Sequence, residues 1–81
     1  MTQPRKGDMR TQIVTWAAPS GEARTGVVSW EGGRDIPVLH DDATGYVSRV
    51  TLGGAVLTAV GDLDFGLMVA AQQEGMRFRM R

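Results

Sequence analysis

The chain contains no cysteine, which excludes disulfides, thiolate metal sites and a cysteine nucleophile together. It also has no net charge, because nine Lys and Arg offset nine Asp and Glu. A generic charge-driven binder of nucleic acid or membrane carries a clear positive excess, so this balance argues against one and leaves room only for a local patch. Aromatics are scarce, with two Trp, one Tyr and two Phe, and there are three prolines. No run approaches the roughly 18 consecutive apolar residues of a membrane-spanning helix. The segment 1–10 carries Arg5, Lys6 and Arg10 but is followed by no apolar stretch of signal-peptide length. A soluble, unprocessed protein is expected, cytoplasmic by default or virion-associated if it is a phage-type component.

The 81 residues have room for one hydrophobic core, and 42% hydrophobic with 22% charged residues is the composition of a folded domain. Residues 1–10 are read as a flexible basic arm and 11–81 as a single β domain. Eleven glycines punctuate apolar, β-branched runs that alternate with polar residues, the mark of short strands joined by tight turns. Strands are predicted over 11–17, 23–30, 35–40, 46–52 and 55–60. Turns fall at Ala18-Pro19-Ser20-Gly21-Glu22, at Glu31-Gly32-Gly33-Arg34 and at Asp41 to Gly45, with a bend at Gly53-Gly54. Pro37 places its strand at a sheet edge or bulge.

The stretch 62–75 is ambiguous. Asp62 or Asp64 is a candidate cap for a short helix near 64–74 that Gly75 would stop. The preferred reading is a strand, because Leu63, Phe65, Leu67, Val69 and Ala71 occupy every second position and Gly66 weakens a helix. A last strand over 76–81 completes six to seven strands. The expected architecture is all-β, a small antiparallel barrel or sandwich of the size of SH3 or OB domains.

The sharpest local feature is Met76-Arg77-Phe78-Arg79-Met80-Arg81. When extended it puts three arginines on one face about 6–7 Å apart, a spacing suited to phosphates or to carboxylates of an acidic partner. Charge is uneven along the chain: residues 1–10 sum to +2, residues 76–81 to +3 and the remainder to −5. If the ends are neighbours, Arg5, Lys6 and Arg10 join Arg77, Arg79 and Arg81 in one positive patch. The plainer account of the row is a solvated edge strand whose charges prevent sheet-to-sheet pairing. Trp16 and Trp30 are candidates for base stacking or an interface, although each follows apolar residues in the manner of a core side chain.

Thr25-Gly26-Val27-Val28-Ser29-Trp30 resembles the opening strand of a cold-shock domain, but that family's aromatic binding strands do not follow it. Val47-Ser48-Arg49-Val50-Thr51-Leu52-Gly53-Gly54-Ala55-Val56-Leu57 is similar to the strand-and-turn segment of PilZ domains, whose D/N-x-S-x-x-G pattern serves cyclic dinucleotide binding. Only Gly54 matches that pattern outright; Arg49 stands at the acid or amide position, Thr51 at the serine, and Lys6 to Arg10 is a loose echo of the upstream RxxxR. The resemblance implies a PilZ-like cyclic-dinucleotide-binding domain.

No catalytic constellation is evident. His40 is the single histidine, and His40-Asp41-Asp42 alternates across a strand rather than converging on a metal or substrate. Ser20, Ser29 and Ser48 lie in no nucleophile elbow, Asp62 and Asp64 follow a glycine turn, and no phosphate loop, dinucleotide fingerprint, zinc or calcium pattern is present. The expectation is a non-enzymatic module without cofactor, metal or small-molecule ligand, docking nucleic acid or an acidic protein face through its arginine strand. The alternative is a self-assembling structural protein, a homo-oligomer or phage-type assembly component. The small core, the edge signal at Pro37 and five methionines motivate it.

Overall fold

The computed structural model describes residues 4–80. Six strands form one sheet in the order β4-β3-β2-β1-β5-β6. Strand β1 spans Met9–Ala17, β2 Ala23–Glu31, β3 Val38–Asp41, β4 Gly45–Val47, β5 Val56–Val60 and β6 Arg77–Met80. The first four make an antiparallel meander, with β5 antiparallel to the other side of β1. Strand β6 returns parallel to β5, which requires a crossover, and helix α2, Phe65–Gln73, supplies it.

The expectation of mostly strand holds, but the sheet stays open where a barrel or sandwich was expected, and one pairing is parallel. The strand reading of 63–71 is overturned. Asp64 caps α2 by accepting the Leu67 N–H at 3.1 Å, and the end is closed by paired bonds from Gly75 N to Gln72 O (3.0 Å) and Met76 N to Ala71 O (3.1 Å). This closure needs a left-handed residue, met by Gly75 at φ +96°. The buried residues Leu67, Met68, Ala70 and Ala71 follow helical rather than alternate spacing. The predicted strand 46–52 is likewise shortened. After β4, Ser48 caps a single helical turn, α1 (Arg49–Leu52), that ends at Gly53 with φ +63°. Strand β1 begins at Met9, inside the stretch read as the arm, and a turn of residues 5–8 leads into it, joined to the β2–β3 loop by the Gly32 N–H on Asp8 O.

Alternation along the strands gives the sheet two unlike faces. Val14, Trp16, Val28, Trp30, Leu39, Val47 and Leu57 point inward and pack with Leu52 of α1 and with Leu67, Ala70 and Ala71 of α2. Among the described residues no element covers the other face.

Long-range polar contacts fix α2 to β1. Gln12, 1% exposed, donates to Ile13 O and Val60 O and accepts the Asp64 N–H at 2.7 Å. Arg10 donates Nε to Asp64 Oδ2 at 2.9 Å and makes a second bond to Oδ1, while its guanidinium lies 6.0 Å from the Trp30 ring centroid. Gly66 makes this approach possible, since a Cβ there would stand 2.6 Å from the Arg10 guanidinium.

The Arg10 bond, opposed by partial burial and aided by the Leu67 N–H, holds the Asp64 carboxyl below its ordinary range. A carboxylate depressed in the folded state stabilises fully above its unfolded pKa and loses that contribution as pH falls through the folded value. Asp64→Ala is therefore expected to cost about 1 kcal/mol near neutral pH from the lost cap alone. Its deficit relative to wild type should begin to shrink below about pH 4, where Asp64 of the unfolded chain takes up a proton, and should fade as pH drops through the lower folded value. Urea titrations at several pH values check this, and a deficit that does not change with pH contradicts it.

Candidate functional site

The uncovered face is the outward side of the sheet. Cross-strand register aligns Val60, Ile13, Val27, His40 and Tyr46 in one row across β5, β1, β2, β3 and β4. A second row runs through Arg79, Thr58, Thr15 and Thr25, and Arg77 lies opposite Val56. Neighbouring strands are about 4.8 Å apart, so the face spans roughly 24 Å from β6 to β4. Ile13 and Tyr46 are 48% and 65% exposed, more than a core row would leave. His40 and Tyr46 stand edge to face with ring centroids 6.2 Å apart.

Arg77 and Arg79 are exposed, and no ion pair among the described residues involves either of them. The outward positions of β5 and β1 are apolar, threonine or alanine. Glu31, at the end of β2, is held by Arg34 at 3.3 Å. The arginine side of the face is thus free of competing carboxylates, although the chain as a whole is neutral.

The remaining candidates are dispersed. Arg10 belongs to the inner side, bound to Asp64, and does not join the β6 arginines. Arg5 and Lys6 are exposed in the turn before β1. Arg81 lies outside the described residues. Trp16 and Trp30, proposed for stacking, are 7% and 2% exposed and belong to the core; a sheet with helices on one side needs large inward side chains to fill the gap, and these are the largest the chain has. His40 points outward while Asp41 points inward, and no metal-binding cluster of His, Asp or Glu occurs among the described residues. No helix among them is long and apolar enough to cross a membrane.

Comparison with family models, with curated proteins and with solved structures finds no match. The PilZ-like strand–turn–strand reading of 47–57 is also not the observed geometry. Arg49 and Thr51 lie in α1, with Ser48 Oγ donating to Thr51 Oγ1 at 2.9 Å, and Gly54 follows the left-handed Gly53.

Strand alternation sets His40 opposite to Leu39 and Asp41, and Tyr46 opposite to Val47. Their meeting on one face depends on the β3–β4 register, which local composition does not encode.

A second concave feature lies beside the β1–β2 turn and α1, lined among others by Trp16, Pro19, Asp41, Tyr46 and Thr51. Asp41 sits there with its side chain 2% accessible. Burial pushes its carboxyl up, but the Ala43 and Thr44 N–H groups and the Arg24 guanidinium outweigh that and hold it below the ordinary range.

Proposed function

We propose that the chain is a non-enzymatic binding module whose open sheet face receives a single-stranded nucleic acid, with Arg77 and Arg79 anchoring phosphates. The observation that carries this reading is the combination, on one uncovered face, of two unpaired arginines with two exposed rings, His40 and Tyr46. Single strands are held by cations that follow the backbone and by aromatic faces on which bases stack. The threonine hydroxyls between them offer hydrogen bonds to bases or sugars. A strand crossing from β6 to β4 would cover about 24 Å, the reach of a few nucleotides.

Fluorescence anisotropy of a labelled mixed-sequence oligonucleotide across a salt series tests the proposal. Affinity is expected to fall with ionic strength, and Arg77→Ala with Arg79→Ala to weaken binding roughly tenfold and flatten the log–log salt slope by about 1.4, two phosphates at about 0.7 each. Salt-independent binding, or a double variant with unchanged slope, contradicts it. Binding to a polyglutamate chain but not to the oligonucleotide would assign the arginines to an acidic protein surface instead.

A second reading is favoured by the apolar row Val60–Ile13–Val27, which a second copy of the sheet would bury face to face. Sedimentation velocity of the protein alone separates the two. A stable dimer abolished by Ile13→Lys supports self-association through this face, and a monomer at high concentration contradicts it.

A further inference from the structure

We infer that the single strand received by the open sheet face is RNA, its ribose 2′-hydroxyls lying along Thr58, Thr15 and Thr25. This deepens the nucleic-acid reading above and rests on it. Cross-strand register divides the face into two rows. Thr58, Thr15 and Thr25 follow Arg79 directly across β5, β1 and β2. Two residues along each of those strands, about 7 Å away, Val60, Ile13 and Val27 lead to the rings of His40 and Tyr46. Flat bases suit the apolar and aromatic row, which leaves the sugars over the hydroxyls.

Thr25 is exposed and Thr15 and Thr58 are half-buried, and no hydrogen bond among the described residues engages their hydroxyls. Strand propensity accounts for a β-branched residue at each position, but valine satisfies it equally. Val60, Ile13 and Val27, on the same strands and the same face, show that aliphatic side chains are accommodated there. The hydroxyls are therefore left for a partner.

Charge decides which part of the strand they meet. A run of phosphates calls for a cation near each, and this row offers only Arg79, at its start. It ends beside the negative charge of Asp42, whose N–H donates to Thr25 O at 3.0 Å. The 2′-hydroxyl is neutral and, like threonine, both donates and accepts. DNA lacks that group, so it keeps the phosphate anchors at Arg77 and Arg79 and loses these bonds.

Three uridine oligomers of about eight nucleotides, identical but for hydroxyl, hydrogen or fluorine at the 2′ position, are the probes. Fluorescence anisotropy with the wild-type protein across a salt series reads their affinities. The ribo-oligomer is expected to bind at least about fivefold more tightly than the deoxy-oligomer, the effect of one or two added hydrogen bonds. The fluoro-oligomer keeps a ribose-like pucker without the donor, and should bind within about twofold of the deoxy form. Thr15→Val with Thr58→Val should bring the ratio of ribo to deoxy affinity to within about twofold, whatever happens to either affinity alone. Salt-dependent binding that is equal for all three oligomers, or in which the fluoro form matches the ribo form, overturns the inference and leaves the nucleic-acid reading standing. A double variant that keeps the full preference overturns it too. Absence of salt-dependent binding by all three overturns that reading, and the inference with it.

Discussion

Trp30→Ala is expected to cost about 3–5 kcal/mol, the range for emptying a buried indole site. The ring is 2% exposed on the inner face, near the end of the β1–β2 ladder and opposite Arg10. It also ties two other parts of the chain together: its Nε1–H donates to Arg34 O at 3.1 Å, fixing the β2–β3 loop, and its face carries the Arg10 guanidinium that Asp64 holds. An 81-residue domain has about 4–12 kcal/mol in total, so the variant should be largely unfolded at physiological temperature or close to it. Urea unfolding followed by circular dichroism measures the loss. Trp30→Phe, which keeps most of the packing and gives up the Arg34 bond, should lose only about 1–2 kcal/mol. A loss below about 1 kcal/mol for Trp30→Ala would contradict the placement of this ring in the core.

Gly26→Ala is the second large effect, and it comes from adding atoms rather than removing them. Gly26 pairs with Val14 on one side and Asp41 on the other. A Cβ there would stand 2.3 Å from the His40 carbonyl oxygen and 3.0 Å from two carbons of the Trp16 ring. The oxygen belongs to the neighbouring strand, so relief requires opening the β2–β3 ladder as well as moving the indole. About 2–3 kcal/mol is expected, which for a domain of this size lowers Tm by roughly 10–20 °C. Thr25→Ala, next in the chain but outward and exposed, should change stability by no more than about 0.5 kcal/mol. Equal effects at the two positions would show that the sheet's inner face is not packed as described.

The strands whose character depends on their own residues were legible. β1 and β2 carry β-branched and aromatic residues, Ile13, Val14, Thr15 and Trp16 in one and Val27, Val28 and Trp30 in the other, and the turn after β1 carries proline and glycine where such turns favour them. Segment 63–71 misled because Leu63, Phe65 and Val69 fit a two-residue period, yet all three are exposed, at 40%, 55% and 42%. What decided the helix was the cap at Asp64, the closure at Gly75 and the need to bring β6 back parallel to β5. The last of these is a property of the whole sheet. Val50 misled similarly. Its branched side chain suggests strand, but it is 92% exposed on α1, where the Ser48 cap and the left-handed Gly53 set the backbone.

The arginine row was partly visible for the same reason. Alternation alone puts Arg77 and Arg79 on one side, but whether that side is covered depends on where α1 and α2 lie. Arg10 was grouped with them by charge, whereas its partner Asp64 is 54 residues away, a pairing that no local pattern announces.

The most direct test of the central claim is to map which face of the sheet meets a single strand. A ¹H–¹⁵N correlation titration with a short mixed-sequence DNA at about 50 mM salt, where backbone contacts are strong, should shift Arg77, Arg79, Thr58, Thr15 and Tyr46 together. The α2 residues Leu67 to Ala71 should stay unchanged. Shifts on the helical side, or none at saturating oligonucleotide, would contradict the assignment of the open sheet face as a nucleic-acid platform.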